Sequence, residues 1–438
     1  MAEKDRTASR HVPAGRLSRL HRLGAMATGV AGNVAAQGIS QWSRGQRPDL
    51  RQLLLSPGNA ARVADDLARM RGAAMKVGQL VSMEAGDVLP PDLAAIFSRL
   101  QASADPMPPK QLERVLRSNW GEDWRGDFAH FDPRPIAAAS IGQVHKATLR
   151  DGRTLAIKVQ YPGVARSIDA DIANIGTLIR MSGMLSPGFD IAHYLEEGKR
   201  QLRLEADYRH EAAQLAAYAA LVGETEGFEI PTVAEQWSTG EVLAMSFHES
   251  RPIEWLTDAS QEERDRVIAR LIDLVLREIF EFGLVQTDPN FANYRYDPGT
   301  GRVVLLDFGA TRSLPPQIID QCREMLAAGL AGDRPGLERA SAALGVLPEA
   351  MAPDHRAQIL SMMEIAFADA RREVFDFAES DLLARLRTEG RKLAADRMPP
   401  PEIPMDALFL QRKIGGTFLL ATRLRARVPL RSMFAAFV

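Results

Sequence analysis

The stretch that decides the fold is Asp288-Pro289-Asn290-Phe291-Ala292-Asn293, followed shortly by Val303-Val304-Leu305-Leu306-Asp307-Phe308-Gly309. Val303–Leu306 is a short unbroken apolar run, two of its residues β-branched, and it predicts a buried strand that delivers Asp307 at its end. Asn293 stands five residues beyond Asp288. A hard cation takes oxygen ligands, and the Asn293 amide and Asp307 carboxylate on adjacent loops supply them, with a ligand's own oxygens completing the shell.

Working outward, the chain upstream has strand texture. Ser140–Ala147 and Thr154–Gln160 are β-like runs joined by Asp151-Gly152, a hairpin-turn dipeptide. Lys158 lies in Leu155-Ala156-Ile157-Lys158-Val159, and strand alternation puts it with Ala156 on one face and the three aliphatic residues on the other. Only eight lysines occur in 438 residues, so a lysine inside a motif is less easily an accident. The loop before it, Ala137-Ala138-Ala139-Ser140-Ile141-Gly142, has alanines where a phosphate-covering loop has glycines, which stiffens it. Glu205-Ala206-Asp207-Tyr208-Arg209-His210-Glu211 reads as helical. Asp207 and Glu211 then face one way, which disfavours the pair unless a cation is near. Lys158 would be the partner of Glu211, while Glu205, about 120° round the same helix, would serve another group.

Ala156-Ile157-Lys158 has the form of the protein-kinase lysine that holds ATP phosphates. Asp288…Asn293 and Asp307-Phe308-Gly309 match the kinase catalytic loop and metal-binding motif in order. With Lys76-Val77-Gly78-Gln79, Glu205-x-Asp207, Gln286-Thr287-Asp288-Pro289-Asn290, Asp307-Phe308-Gly309-Ala310-Thr311-Arg312 and the tail Gln411-Arg412-Lys413-Ile414-Gly415-Gly416, the chain resembles the UbiB (aarF-domain) atypical kinase-like family from about Arg16 to Phe434. That resemblance implies an α+β, two-lobed kinase-like fold with added N- and C-terminal helices, and a Mg-ATP-dependent ATPase supporting ubiquinone or isoprenoid-lipid biosynthesis at a membrane. It implies catalytic roles for Asp288, Lys158 and Lys76. Nucleotide contacts fall to Ala137, Ala138, Ala139, Ser140, Lys158, Glu211, Met245 and Phe247, and metal ligation to Asn293 and Asp307. Lys76, Gln79 and Glu205 take a regulatory role, the K-x-G-Q helix covering the groove of a protein substrate. The cofactors are ATP and Mg2+. An anionic membrane surface or isoprenoid lipid is an expected partner, with lipid-biosynthesis enzymes beside it. The expected location is the inner face of a bacterial membrane, or the matrix side of a mitochondrion in a eukaryote. Gln286-Thr287 replaces the His-Arg before the catalytic Asp, and Leu347-Pro348-Glu349 is a poor match to A-P-E, so a peptide-binding activation segment is not expected. A small-molecule phosphotransferase and a nucleotide-binding regulator are the alternatives.

The totals agree with a soluble globular protein: 46% hydrophobic and 25% charged residues, with a net charge of −2 that gives no electrostatic case for nucleic acid. A single cysteine, Cys322, excludes an intramolecular disulfide. No Asp or Glu occurs from Arg6 through Pro48, where arginines flank leucines spaced by three. This segment reads as a membrane-surface anchor, a cleaved targeting segment or a packed helix. The division expected is 1–48 basic segment, 49–130 helical K-x-G-Q extension, 131–247 N-lobe and 248–438 helical C-lobe.

Overall fold

The structure is a computed structural model that describes Ala73, Lys76 and residues 106–181, 191–223, 225–395 and 403–438. The basic segment 1–48, Gln79 and most of the expected helical extension 49–130 lie outside the described residues; Ala73 and Lys76 are helical, as that reading expects. The chain divides into two compact units, Met1–Ala212 with Val233–Phe247, and Ala213–Thr232 with His248–Val438. Residues 213–232 therefore group with the second unit, where the sequence reading had kept them within 131–247.

In the first unit, α1 (Pro109–Trp120) begins on a proline and stops at Gly121, whose φ of 89° suits a residue without Cβ. A sheet follows from β1 (Phe128–Phe131), β2 (Ala137–Ala138), β3 (Gly142–Leu149), β4 (Thr154–Gln160) and β5 (Val242–Ser246). All its pairings are antiparallel, in the order β1-β3-β4-β5 with β2 on β3. The alternation read for β4 holds: Leu155, Ile157 and Val159 join Val242, Ala244, Leu116 and Phe128 in the core. Trp120, Trp124, Phe128, Phe131 and Trp237 close one side of that core as an aromatic cluster with centroids 4.8–6.0 Å apart.

Three helices follow, α2 (Val164–Met181), α3 (Ala192–Glu205) and α4 (Tyr208–Val222). The break at Ala206-Asp207 has a local cause. The Asp207 carboxylate accepts from the backbone N–H groups of Arg209 and His210, at 3.1 and 3.4 Å, and so caps a new helix. Glu205 and Glu211 accordingly sit on different helices rather than at two angles of one, and Asp207 is a cap rather than a like-charged neighbour on the helix face.

In the second unit α5 (Gln261–Arg277) starts at Ser260, whose side chain accepts from the Glu263 backbone N–H, the first half of a capping box. The expectation of helices broken by one strand is corrected here. The strands β6 (Leu284–Gln286), β7 (Tyr294–Asp297), β8 (Arg302–Leu305) and β9 (Thr311–Ser313) are all present. β6 and β9 pair with each other, while β7 and β8 lie side by side in a four-stranded sheet flanked by the two-residue strands Arg251–Pro252 and Phe228–Glu229; apart from β8, read as Val303–Leu306, each is too short to stand out. In β7 the period-two signal is nonetheless there, with Tyr294 and Tyr296 buried and Arg295 and Asp297 half-buried. Both pairs serve the motif loops. Thr311 opposite Gln286 ties the chain after Asp307 to the chain before Asp288. Leu305 opposite Tyr294, followed by the Leu306 N–H on the Asn293 carbonyl at 2.8 Å, sets Asn293 beside Asp307. The helices α6 (Pro316–Ala331), α7 (Arg334–Ala343), α8 (Pro353–Ala370), α9 (Leu382–Ala395) and α10 (Met405–Leu424) complete the unit. Val275, Ile279, Val285, Leu314, Leu344 and Leu410 form one of its cores.

Candidate active site

In the first unit Lys158 Nζ donates to both carboxylate oxygens of Glu211, at 2.7 and 2.8 Å. The pair is nearly dry, with side chains 10% and 2% exposed, and the Tyr208 ring lies 5.2 Å from the ammonium. Taking two charges out of water costs several kcal/mol per ion, roughly, so geometry this close is needed to offset it. Strand register explains the placement. Lys158 lies opposite Val144 and Leu243, so Leu243, Met245 and Phe247 follow it along one face of the sheet, with Ala156 opposite Met245. Met245 is buried, and the Phe247 ring receives the Lys146 ammonium at 4.1 Å.

The alanine loop starts as β2, where Ala137 and Ala138 are exposed and pair with Val144 and Gln143. The Ala139 N–H closes the turn on the Gly142 carbonyl at 2.9 Å. Ser140 Oγ donates to Glu205 Oε2 at 3.0 Å, and the other oxygen of Glu205 is ion-paired with Lys76. Lys76, buried, thus meets the alanine loop through Glu205. These three residues come together, as do Lys158 and Glu211.

In the second unit Asn293 Nδ2 donates to Asp288 Oδ2 at 3.1 Å and to the Asp288 carbonyl at 3.3 Å. This turns the amide oxygen of Asn293 away from Asp288. Asp307 has a φ of 62°, a left-handed conformation costing about 1 kcal/mol in an L-residue, and its Oδ1 accepts from the Gly309 N–H at 3.1 Å. One carboxylate and one amide oxygen at adjoining ends of neighbouring strands suit a hard cation. Among the described residues, no group of three His, Cys, Asp or Glu side chains is placed to hold a metal alone. Such a donor set fits Mg2+ brought with a phosphate ligand, which supplies the missing oxygens.

Sequence reasoning missed Arg412. Its guanidinium pairs with Asp288 Oδ1 at 2.7 Å, so one carboxylate oxygen of Asp288 is held by α10 and the other by Asn293. Arg312, just after the Asp307 motif, also reaches α10, pairing with Asp406 at 3.1 Å and lying 4.5 Å over the Phe409 ring. The tail motif Gln411–Gly416 was the available signal, though nothing in its spacing named the partners.

Residues 99–341 match the family model described as the ABC1 atypical kinase-like domain. Atypical kinase COQ8, mitochondrial, of Saccharomyces cerevisiae is 37% identical over 99% of this chain and 86% of its own length. Atypical kinase COQ8B, mitochondrial, of Danio rerio is 36% identical over 98% of this chain and 69% of its own. Among solved structures, Rv3197 of Mycobacterium tuberculosis in complex with erythromycin superposes with a TM-score of 0.60 at 25% identity, covering 88% of this chain and 96% of that one.

Proposed function

The chain belongs to the UbiB (ABC1) atypical kinase-like family, with its α+β kinase-like fold, and from that premise we propose that it is a Mg-ATP-dependent ATPase acting in ubiquinone or isoprenoid-lipid biosynthesis at a membrane. The observation that supports the reading is the kinase-like order of the motifs along the chain, with Asn293 and Asp307 brought near each other by strand pairing. Lys158, oriented by Glu211, holds the α- and β-phosphate oxygens. Ala137–Ser140 cover the phosphates. Met245 and Phe247, on the lysine's sheet face, contact the base. Asn293 and Asp307 would hold Mg2+, which neutralises phosphate charge when bound. Asp288 orients the attacking water and takes its proton as the new P–O bond forms and the bond to the leaving ADP oxygen breaks. Arg412 keeps the Asp288 carboxylate fixed for that task.

Water is favoured over a protein hydroxyl as the acceptor because Lys76 is tied to the alanine loop through Glu205, where it regulates access. Gln79 is assigned to the same regulatory face. The basic segment before Asp49 is proposed to lie on anionic lipid, as a peripheral contact on the inner face of a bacterial membrane or the matrix side of a mitochondrion. No helix among the described residues is long and apolar enough to cross a membrane.

The test is phosphate release from ATP with and without anionic liposomes. Wild type is expected to hydrolyse ATP slowly and faster with lipid. Asp307→Asn should fall by at least about 100-fold, the scale of losing a transition-state charge contact. A variant lacking residues through Arg44 should keep basal hydrolysis and lose the lipid response. Normal hydrolysis by Asp307→Asn would sink the assignment, and phosphate transferred to an added metabolite would replace ATPase by phosphotransferase.

A further inference from the structure

Beneath the motif loops of the second unit lies a buried charged network that the phosphoryl chemistry does not itself use. Glu278 is fully buried and Lys413 is 2% exposed. Glu278 opens the single π-helical turn Glu278–Phe282 that ends α5, a rare conformation found mostly at functional sites. Its Oε1 accepts from Tyr218 Oη at 2.6 Å and the Gln286 backbone N–H at 3.1 Å, and its Oε2 pairs with Lys413 at 3.0 Å. Lys413 Nζ also donates to Gln286 Oε1 at 3.4 Å and to Tyr294 Oη at 3.3 Å. Burial, the largest single influence, works against the charge on Lys413, but Glu278 and Tyr294 together offset it and hold the ammonium above its ordinary range. Burial, with Glu278, keeps the Tyr218 phenol protonated and donating.

A buried ion pair is often no more stabilising than the apolar residues that would fill its volume, so stability alone is a weak reason for this one. Its two outward bonds suggest another. Gln286 Nε2 donates to the Asp307 carbonyl at 3.2 Å, on the residue with the left-handed backbone. Tyr294 immediately follows Asn293 and begins the strand that sets Asn293 beside Asp307.

We infer that Lys413, Glu278 and Gln286 are positioning residues for the metal ligands, holding the Asp307 backbone in its left-handed conformation and Asn293 at a fixed separation from it. The inference rests on the Mg-ATP reading. It predicts that the network governs metal affinity more than nucleotide affinity, as supporting hydrogen bonds behind metal ligands do.

The experiment measures ATP binding by full-length protein in EDTA and across a Mg2+ titration, for wild type, Gln286→Met, and the paired neutral replacement Glu278→Gln with Lys413→Met. Gln286→Met keeps the volume and leaves the buried pair intact, so it folds even if the double variant does not. The Mg2+ concentration for half-maximal binding should rise about tenfold in Gln286→Met while the affinity in EDTA stays at the wild-type value. An unchanged Mg2+ requirement would overturn the inference. Equal losses with and without Mg2+ would also overturn it, by reducing the network to a structural role. Wild type that binds ATP no better with Mg2+ would remove the underlying Mg-ATP reading itself, a result separate from either.

Discussion

Gly142 shows how a single residue ties the alanine loop to the surroundings of Lys158. A Cβ placed there would lie 2.4 Å from the Val159 carbonyl oxygen and 2.8 Å from Tyr208 Oη, and Tyr208 is the ring beside Lys158. Backbone on one side and a buried tyrosine on the other leave little room to relax. Gly142→Ala should therefore cost about 1–3 kcal/mol by overpacking, read as a lower midpoint in thermal unfolding and weaker ATP binding; a wild-type midpoint would contradict this. At this scale much was legible. The strand alternation around Lys158 and the nearness of Asp288 to Asn293, five residues on, could be read because both are local patterns. Arg412 was not legible as a partner of Asp288, since the two are 124 residues apart and no periodicity links them. Glu278 and Lys413 were hidden for a related reason. Each looks like an ordinary helix-surface charge until packing buries it.

Among the elements, α10 shows most clearly what the tail motif does. It packs on the segment from Asp288 to Tyr294 with Arg412, Lys413 and Gly416. A Cβ on Gly416 would come within 2.2 Å of Pro289 Cβ, while Gly415 has nothing within 4 Å. The neighbouring glycines thus invite opposite outcomes. Alanine is favoured over glycine inside a helix by about 1 kcal/mol, so Gly415→Ala should raise the unfolding midpoint slightly and leave hydrolysis intact. Gly416→Ala gains the same propensity but drives α10 off the rigid Pro289 ring. It should lower both the midpoint and the hydrolysis rate, and identical behaviour of the two variants would refute the close packing. Helices with strong apolar periodicity and capping signals, such as the one starting at Ser260, could be read from the sequence. Val303–Leu306 stood out as an unbroken apolar run and falls on β8, whereas β6, β7 and β9 did not, because runs of three or four residues gain their stability from pairing rather than from intrinsic pattern. The break at Asp207 was also passed over, although an Asp before Tyr208 is an ordinary cap signal.

For the whole molecule, the α+β two-lobed kinase-like reading agrees with the family match over residues 99–341 and with the fold of Rv3197. The order of motifs made this legible, since each short motif alone is weak and their sequence along the chain is not. The substrate was not legible, because a pocket is assembled from distant residues. The account's central claim is that this chain binds ATP through Mg2+ held by Asn293 and Asp307, with Lys158 on the phosphates. Its most direct test is calorimetric titration of ATP into wild type, Asp307→Asn and Lys158→Met, with Mg2+ and with EDTA. The account predicts Mg2+-enhanced binding by wild type, loss of that enhancement in Asp307→Asn, and weakened binding under both conditions in Lys158→Met. Equal Mg2+ enhancement in wild type and Asp307→Asn would contradict it.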